Sequence, residues 1–598
     1  MKKLIIINDS DIKYININEI LFSVAKGFYL FPLDKQSIQF CITNKYPFIC
    51  MDDWMESDDI INVINEASFL ERNWFISERD LFTIDNICWP EFDRHSMNLF
   101  WRESILCCRL AEIFILKGVN EIILFRDVEP KPSVYYSPSD IYPVLFQKLL
   151  HDKIKVKCII KKNTIKDYIK NKLRKAKRSI LELPNGKIGG IDAFDNIDII
   201  FILHIGEYYR FVPFLQQLKQ SYPDRVGCIT LFNNNNFCET VRKELELPVL
   251  NGPTYNISNQ KSNKANFLNA FQRIKDNNHG YSNINSIYEL DFHFDFYFSD
   301  RWVMLNNAFI FWNTLFQKLS PKYILSSSLY DGETQVPVFA AKKRGIKTIS
   351  VPHSGITLHD NLINADLILY NYTIQKLFWQ DAGIDSSRLK PCKNVLTENQ
   401  YQVYKMKDNP EISKKTILIV MESLWRSQRL LETGLRQYLN DQQILGNIPQ
   451  YILDRFNVII KLYPLPDEVI FVKSIVKIDP KAVMIDTGEL TSLLEQADLV
   501  ISIDSISSAI IHIINHAKAL IFYMPKNNKT SESLRIKNIY DRLSEGAELA
   551  YTENEIWEKA MQYFDDPDKK LQMDERVWKA REAYTSFDAF PTIRNYII

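Results

Sequence analysis

The most informative segment of the chain is ADLVISIDSISSAIIHIINHAKALIFY, residues 497–523. It predicts a buried strand from Leu499 to Ile503, then a loop of small polar residues, an apolar helix, and a second strand from Ala519 to Tyr523. In such a strand–loop–helix unit, the free N–H groups of the first helical turn point out of the carboxyl edge of the sheet and can bind an anion. The pattern therefore predicts a parallel α/β fold with a phosphate site at this edge.

The loop itself carries the hydroxyls of Ser505, Ser507 and Ser508 beside Asp504, and Ser502 stands just before it. Hydroxyls at this place can join the helical N–H groups around a phosphate. A serine before a helix is also a routine N-cap. Both interpretations of the loop stay open from the sequence.

Length and composition indicate an ordinary folded protein of more than one domain. The chain has 598 residues, of which 46% are hydrophobic and 24% charged. Lys+Arg and Asp+Glu both count 73, so the net charge does not favour nucleic acid as a partner. The nine cysteines show no metal-site or disulfide spacing, and adjacent Cys107 and Cys108 lie in an apolar helical run as core thiols. A reducing cytoplasm fits this usage.

From about residue 100 onward, helical patterns alternate with short β-branched strands, which predicts parallel sheets in doubly wound domains. We expect an N-terminal domain (1–392), a linker (393–415), a C-terminal domain (416–555), and helices at 556–598 that pack back across the domains. Residues 1–100 either extend the first sheet or form a small subdomain, with candidate strands at Leu4–Ile7 and Ser37–Ile42. Residues 256–290 are rich in Asn, Ser and Lys and indicate a surface excursion.

Two further strand ends carry polar side chains. The run ISVPHSG places His353 after a strand, although a histidine alone is more often structural. The run VIIKLYP delivers Lys461 and Tyr463 to a sheet edge before Pro464 stops the strand. Because Lys461 stands in the same domain as the serine loop, its charge and the hydroxyls can share one phosphate.

A third strand end, SSSLYDGE, holds Asp331 and Glu333 around Gly332. A carboxylate on the acceptor side of a cleft can take the proton that an attacking hydroxyl must lose. Equally, acids at this place can begin the next helix, where negative charge near the N-terminus is favourable. If neither is the base, the next candidates are Asp127, Glu207 and His353.

The order of these motifs resembles the GT-B glycosyltransferases of bacterial surface-polysaccharide assembly. It is most similar to the capsule-type Kdo transferases and to the bacterial sialyl- and polysialyltransferases that use CMP-sugars. The resemblance covers roughly residues 320–525 by motif and the rest only by architecture. It implies two Rossmann-like domains facing a central cleft, a nucleotide-sugar donor bound by the C-terminal domain, and an acceptor glycan bound by the N-terminal domain. The implied donor is a CMP-activated 2-keto acid sugar, Kdo-like or sialic-acid-like, with no other cofactor.

Carried over by position, the resemblance assigns Asp331 with Gly332 to the acidic–Gly pair whose acid serves as base, and His353 with Gly355 to the turn. Together with Glu333 from the strand-end argument, the catalytic candidates are Asp331, Glu333 and His353. The resemblance assigns nucleotide binding to the strand ends of the C-terminal domain: Glu422, Lys461, Tyr463, Pro464, Ser505, Ser507 and Ser508. Two positions depart from the family pattern. Tyr463 stands where the family has His, and Ser354 separates His353 from Gly355. A tyrosine hydroxyl can still donate to a phosphate, but it carries no positive charge.

We expect no metal. A metal-dependent transferase would need an Asp-x-Asp pair at the cleft, whereas Asp9-Ser-Asp11 and Asp566-Pro-Asp568 lie outside the domain with the phosphate loop. We interpret both pairs as turn acids, although the first leaves a metal site open. Phosphate stabilisation by Lys461 and the serine loop would take the place of the ion.

One segment bears on localisation. Between Lys153 and Arg178 there are twelve Lys or Arg against one acid, Asp167. Such a segment can hold a cytoplasmic enzyme on the anionic inner face of the membrane, and it is also typical of a solvated surface. Two other functions compete with the glycosyltransferase: a polyol-phosphate transferase using CDP-glycerol, and a non-catalytic glycan-binding or scaffold subunit.

Overall fold

The computed structural model describes the chain in separate ranges: 2–12, 14, 23–127, 138–161, 191–205, 208–253, 262–277, 282–327, 332–351, 364–370, 376, 379–380, 383–391, 414–421, 435–462, 466–485, 490–503, 509, 513–514, 516–523, 546–583, 593 and 596–597. Within these ranges the strands form three parallel sheets and one small antiparallel hairpin. We call the parallel sheets the N-terminal, middle and C-terminal sheets.

The N-terminal sheet has the strand order β2-β1-β5-β6, with all neighbours parallel. Its strands are β1 (Lys2–Ile7), β2 (Phe28–Pro32), β5 (Val119–Asp127) and β6 (Lys155–Lys161), and the hairpin pairs β3 (Thr83–Ile84) with β4 (Ile87–Cys88). The helices of this unit are α1 (Asp9–Ile12), α2 (Lys35–Thr43), α3 (Ser57–Asn73), α4 (Trp89–Phe92), α5 (Arg94–Leu116) and α6 (Pro138–Leu149). Residues 1–100 therefore share a sheet with residues 119–161.

The strand expected at Leu4–Ile7 is confirmed, whereas the one expected at Ser37–Ile42 is wrong because this segment is helix α2. Asp34 caps the helix: its side chain accepts from the backbone N–H of Ser37 at 2.8 Å. Ile38 and Cys41, three residues apart, are both fully buried. The alternation of apolar and polar residues resembled a strand, but the cap and the i, i+3 spacing select a helix.

The middle sheet has the order β13-β12-β11-β10-β7-β8-β9. Its strands are β7 (Ile199–Leu203), β8 (Val226–Thr230), β9 (Val249–Leu250), β10 (Tyr323–Ser327), β11 (Lys347–Val351), β12 (Leu367–Tyr370) and β13 (Leu389–Pro391). The helices are α7 (Tyr208–Ser221), α8 (Asn235–Leu245), α9 (Ser262–Asn277), α10 (Ser282–Tyr288), α11 (Asp291–Phe296), α12 (Trp302–Leu319) and α13 (Gly332–Lys343), and a π-helical turn, Tyr297–Arg301, leads into α12. The predicted helix-then-strand pairs at β8, β10 and β11 are confirmed.

Helices α9 and α10 correct the surface excursion predicted for residues 256–290. In α9, Phe267, Phe271 and Ile274 are buried and belong to a core that also contains residues of both the N-terminal and middle sheets. The polar residues that dominate the composition occupy the other face of the helix, so composition alone was misleading and the i, i+4, i+7 spacing of the apolar residues is the informative signal. Cys107 and Cys108 are buried in the same core, as predicted.

The C-terminal sheet has the order β16-β15-β14-β17-β18-β19, again entirely parallel. Its strands are β14 (Thr416–Met421), β15 (Asn457–Lys461), β16 (Ala482–Ile485), β17 (Leu499–Ile503), β18 (Ala519–Tyr523) and β19 (Glu548–Ala550). The helices are α14 (Leu435–Ile444), α15 (Gln450–Arg455), α16 (Pro466–Ile475), α17 (Leu490–Gln496), α18 (Glu553–Asp565) and α19 (Pro567–Ala583). The strands predicted at Leu499–Ile503 and Ala519–Tyr523 are confirmed as β17 and β18, and the predicted strand that ends at Lys461 is β15.

The chain's last described residues contact the middle sheet. Ile593 and Ile597 are buried in the core on one face of that sheet, and the hydroxyl of Tyr323 in β10 donates to the carbonyl of Ile597 at 2.7 Å. Helix α19, by contrast, packs on the C-terminal sheet through Val577 and Ala580. Of the linker predicted at 393–415, only Lys414 and Lys415 are described.

The predicted α/β class and its two doubly wound sheets are confirmed, and residues 2–161 add a third parallel sheet. Numbered along the chain, the C-terminal strands lie in the order 3-2-1-4-5-6, and the middle strands follow the same order with one more strand at the edge. In both sheets the chain fills one side of the first strand and then crosses to the other. That reversal leaves a crevice at the carboxyl ends of the two central strands.

Candidate functional site

The crevice of the C-terminal sheet lies between β14 and β17, the two strands at which the order reverses. All strands of the sheet are parallel, so every loop that follows a strand leaves from the same edge. The loops after β14, β15 and β17 are the ones in which the sequence places Glu422, the Tyr463–Pro464 pair and the serines of 505–508. These residues lie outside the described part of the chain. The described strand ends nevertheless bring the starting points of all three loops to one edge.

The register of the strands makes this placement specific. Val420 in β14 is the partner of Lys461 in β15 and of Ser502 in β17. Neighbouring strands are about 4.8 Å apart, and paired residues of parallel strands share a face of the sheet. Lys461 and Ser502 therefore lie on the same face, about 10 Å apart across Val420. From the sequence alone, Lys461 and the serine loop could be assigned only to the same domain.

Lys461 is buried, with 6% of its surface exposed, and its ammonium donates to the carbonyl of Leu462 at 2.9 Å. Ser502 is fully buried. A buried ammonium needs polar partners because it has lost its water shell. At the end of a strand, next to the crevice, such a cation can neutralise a phosphate more strongly than a solvated lysine can.

The crevice of the middle sheet lies between β7 and β10. Asp331 and His353 follow β10 and β11, but both lie outside the described residues. Glu333 is described and sits in the first turn of α13. In the sequence, Asp331 and Glu333 follow β10 and His353 follows β11. The strand pairing shows that β10 and β11 are neighbours in one sheet.

Glu333 belongs to a buried ion cluster that the sequence did not reveal. Arg301, at the end of the π-helical turn, donates from Nη2 to Oε2 of Glu333 at 2.6 Å, and its Nη1 also binds this carboxylate. The same guanidinium donates from Nε and Nη2 to the two oxygens of Asp93, each at 2.9 Å, and Ser96 donates to Asp93 at 2.9 Å. Two carboxylates thus share one cation away from solvent.

The electrostatics of this cluster follow from burial and pairing. Burial raises the pKa of Asp93, and the charge of Arg301 opposes that rise. For Arg301, burial disfavours the charged form, but Asp93 and Glu333 hold its pKa well above the usual range. Gly332 has no room for a side chain, because a Cβ there would lie 2.8 Å from Oδ1 of Asp93. The cluster consequently fixes the start of α13 against α5 and the π-helical turn.

The carboxyl edge of the N-terminal sheet carries a second buried ion pair. Lys161 at the end of β6 lies 2.5 Å from Asp11 and donates to the hydroxyl of Ser10 at 2.9 Å. Burial raises the pKa of Asp11 to about 6, more than the Lys161 charge lowers it. Lys161, which the sequence grouped with the basic segment, is therefore an internal residue; the rest of that segment, from 162 to 178, lies outside the described residues.

The second Asp-x-Asp pair, Asp566-Pro-Asp568, serves local structure, whereas Asp11 of the first belongs to the ion pair with Lys161. Asp566 accepts from the backbone N–H groups of Asp568 and Lys569, at 2.9 and 3.2 Å, and so caps α19. Among the described residues, no group of three His, Cys, Asp or Glu side chains is arranged to hold a metal ion. In the same ranges, no helix combines the length and apolarity needed to cross a membrane.

The fold and its crevices define a parallel α/β protein with two sheets of the nucleotide-binding, doubly wound order. Comparison with known proteins gives no match to a family model and none to a curated protein. Solved structures with a similar backbone include a UDP-N-acetylglucosamine 2-epimerase from Neisseria meningitidis bound to UDP-GlcNAc, with 12% identity, TM-score 0.38, and coverage of 67% of this chain and 99% of the other.

Two glycosyltransferases show comparable similarity. SnogD from Streptomyces nogalater is 10% identical, with TM-score 0.36 and coverage of 67% of this chain and 99% of its own. The calicheamicin glycosyltransferase CalG4 is 10% identical, with TM-score 0.38 and coverage of 67% and 97%.

Proposed function

We propose that the protein is a glycosyltransferase that binds a nucleotide sugar at the β14–β17 crevice. One observation carries the proposal: the register places the buried Lys461 and Ser502 on one face, flanking Val420 where the strand order reverses. This is where doubly wound sheets bind nucleotides. The loops that begin there hold Glu422, Tyr463 and the serines 505, 507 and 508, whose hydroxyls suit a phosphate.

Glycosyl transfer breaks the bond between the anomeric carbon and the nucleotide phosphate and forms a bond to an acceptor oxygen. Negative charge grows on the departing phosphate as the first bond breaks. A buried cation and fixed hydroxyls that already point at this phosphate lower the barrier, because they need no reorganisation during the reaction. In this proposal Lys461 and the serine loop perform that task without a metal.

The acceptor hydroxyl must lose its proton, and the carboxyl edge of the middle sheet supplies the candidate bases. Arg301 already binds both carboxylate oxygens of Glu333, so this side chain is engaged in the ion cluster. We therefore assign the base to Asp331, keep His353, which follows the neighbouring strand in the sequence, as the next candidate, and give Glu333 the task of fixing the start of α13. Proton transfer is most efficient when the pKa of the base lies near the operating pH.

The donor we propose is a CMP-activated 2-keto acid sugar, and the acceptor is a bacterial surface glycan, free or lipid-linked. These two assignments rest on the motif resemblance in the sequence. We propose further that the enzyme works in the cytoplasm, which fits its cysteine usage. Cations of the basic segment from Lys153 to Arg178, other than the internal Lys161, would hold it on the inner face of the membrane, where the family it resembles uses lipid-linked acceptors.

The test is nucleotide binding by calorimetry with CMP, CDP, UDP and GDP, on the wild type and on Lys461→Met. Lys518→Met is the matched control, because Lys518 also donates to a backbone carbonyl at 2.9 Å but lies before β18, at the opposite edge of the sheet. We expect CMP to bind, and the Lys461 variant to lose about 10- to 100-fold in affinity, as for a hydrogen bond to a charged group. The control should bind normally.

Preferential binding of CDP would favour the polyol-phosphate transferase. Binding of none of the four nucleotides would overturn the proposal and favour the non-catalytic subunit. Equal loss of affinity in both lysine variants would remove the site from the β14–β17 crevice.

A further inference from the structure

The N-terminal unit, meaning the N-terminal sheet with helices α1 to α6, shares a core with the middle unit, meaning the middle sheet with helices α7 to α13. Trp74 packs edge-on against Phe271, with ring centres 6.3 Å apart, and Phe82 stacks on Phe267 at 5.9 Å. These rings belong to one core that also contains strand residues of both sheets. Because a large apolar interface opposes relative motion, the two units form one body.

The N-terminal unit also docks on the C-terminal unit, meaning the C-terminal sheet with helices α14 to α19. Ile38 in α2 and Cys50 are fully buried in a core that contains residues of β14, β15, α14 and α16. Gln39 donates to Ser474 in α16 at 2.9 Å, although the two residues are 435 positions apart. Apolar side chains of the N-terminal unit thus complete a core of the C-terminal unit.

Polar contacts fix the orientation of this docking. Asp52 accepts from the first turn of α14, through Oδ1 from the N–H of Arg436 at 3.1 Å and through Oδ2 from the N–H of Gln437 at 3.0 Å. The guanidinium of Arg436 binds Asp53 through two parallel hydrogen bonds of 3.0 Å and lies 4.7 Å from the centre of the Phe48 ring. Bidentate, stacked pairs of this kind set orientation as well as charge. The N-terminal unit therefore holds α14 in one orientation.

The other face of the C-terminal sheet is attached to the same body at a different place. Successive residues of a strand point to opposite faces. In β14, Ile419 lies in the core that receives Ile38, whereas Val420 lies in the core of the other face. Trp379 packs against that second core and also against a core of the middle unit around β12 and β13. The C-terminal sheet is therefore contacted on both faces by one body.

Attachments on opposite faces resist rotation of the sheet. Two domains joined at one place are expected to move relative to each other, and hinge closure around a ligand is a common form of that motion. A rotation of the C-terminal sheet about Trp379 would pull Ile38 and Cys50 out of the core on the other face. It would also separate Arg436 from Asp53. Exposing buried apolar surface and breaking a bidentate ion pair both cost free energy, so the geometry opposes the hinge.

We propose that the N-terminal unit is a brace that fixes the C-terminal sheet relative to the middle sheet, so that the two sheets keep one distance with and without ligand. The inference concerns the motion of the units and does not depend on which ligand binds, so it goes beyond the proposed function. A ligand would then reach either crevice without rotation of the sheets. The contact between Arg436 and Asp53, whose side chains are 35% and 29% exposed, is the part of the brace that can be changed without cutting into a core.

The experiment measures the distance between the middle and C-terminal units by pulsed electron paramagnetic resonance. Spin labels are carried by unnatural amino acids at the exposed positions Gln216 in α7 and Glu558 in α18, which leaves the nine cysteines in place. In the wild type we expect one narrow distance that does not change when CMP, CDP, UDP or GDP is added. In Arg436→Glu, which turns an attraction to Asp53 into a repulsion, we expect a second population at longer distances.

Arg455→Glu is the matched control. Arg455 also binds both oxygens of an aspartate, Asp565, and lies 5.3 Å from the centre of a ring, Phe456, but all three residues belong to the C-terminal unit. The distance in this variant should match that of the wild type. Combining Arg436→Glu with Asp53→Arg restores opposite charges and should return the narrow distance.

A wild-type distance that is broad, or that shifts when a nucleotide binds, would overturn the brace. An unchanged distance in Arg436→Glu, or longer distances in both arginine variants, would overturn it as well. If none of the four nucleotides binds but the distances behave as expected, the proposed function fails and the brace stands. Should Arg436→Glu not fold, Asp53→Lys places a repulsion in the same contact from the N-terminal unit and decides the question.

Discussion

Arg301 and Glu333 form an ion pair in which the arginine side chain is only 3% exposed, and the same guanidinium holds Asp93, whose side chain is fully buried. One cation therefore serves two carboxylates in the interior. Taking three charges out of water is costly, and the cluster is stable only while each member keeps its partners. Of the two acids that flank Gly332 in the sequence, Glu333 is bound by Arg301, and Asp331 is the one we propose as the base.

The two acids should accordingly respond differently to substitution. We expect Asp331→Asn to lower turnover about 100- to 10,000-fold with nucleotide affinity preserved, as for removal of a general base. Glu333→Gln should instead lower the melting temperature and leave turnover within a few-fold, because it weakens the Arg301 cluster. Steady-state rates with an identified donor and acceptor, set beside thermal unfolding, check this pair. A large loss of turnover in the Glu333 variant at unchanged stability would reverse the assignment.

Removing the cation should be more damaging than removing either acid. Arg301→Leu leaves the fully buried Asp93 without its cation and removes an ion-pair partner of the partly buried Glu333, so we expect a loss of about 3 to 5 kcal/mol in the free energy of unfolding. Arg301→Lys keeps the charge but cannot reproduce the forked hydrogen bonds, and should recover only part of that loss. Urea denaturation of the three proteins measures both effects. Equal stability of the leucine variant and the wild type would mean that the cluster contributes nothing.

Glu103 provides a pH-dependent prediction. Its Oε2 accepts from the hydroxyl of Tyr142 at 3.2 Å, and burial raises the pKa of Glu103 from 4.5 to about 7. The folded state thus holds a proton that the unfolded chain releases above pH 4.5, so the stability contribution is complete at low pH and is lost as pH rises through 7. The expected loss is about 3 kcal/mol.

Glu103→Gln does not titrate and can still accept from Tyr142, so its stability should lack this component. Urea midpoints of the two proteins at about pH 5 and about pH 8 test the sign. Because Asp11 shifts in the same direction, the difference between the two proteins, and not the wild-type curve alone, is the informative quantity. Parallel curves for wild type and variant would contradict the prediction.

The contact between Tyr323 and the carbonyl of Ile597 predicts a coupling between the middle sheet and the chain end. Tyr323→Phe removes the 2.7 Å hydrogen bond and should cost about 1 kcal/mol of stability. Deleting residues 593–598 should cost more, because it also uncovers the apolar contacts of Ile593 and Ile597. In the deletion protein, Tyr323→Phe should have almost no further effect. Substitution of the exposed Tyr451 by Phe is the control. If Tyr323→Phe lowers the stability of the deletion protein as much as that of the full chain, the coupling is refuted.

Much of the fold was available from the sequence because its elements have strong local signals. The strands Asn457–Lys461 and Leu499–Ile503 are unbroken β-branched runs between turns, and such runs specify buried parallel strands in almost any context. Their polar ends also identified Lys461 and the serine loop as members of one edge. The strand prediction within Lys35–Thr43 was wrong because the apolar residues of this segment fit both the strand period and the helix period. The side-chain cap from Asp34 favours the helix.

Only the tertiary structure decided which distant residues meet. Nothing local in the sequence links Asp52 to Arg436 or Asp93 to Arg301, since each pair joins segments more than two hundred residues apart whose approach depends on how helices pack on separate sheets. Strand order is likewise a non-local property. Val420 pairs with both Lys461 and Ser502 because the chain crosses from one side of β14 to the other, and the hydrophobic periodicity of the sequence does not indicate where it crosses. The sequence determined the secondary elements and the residue types at their ends, because these follow from local periodicity and capping. The arrangement of charges around the site was decided by packing, because burial and long-range contacts set which ions are paired.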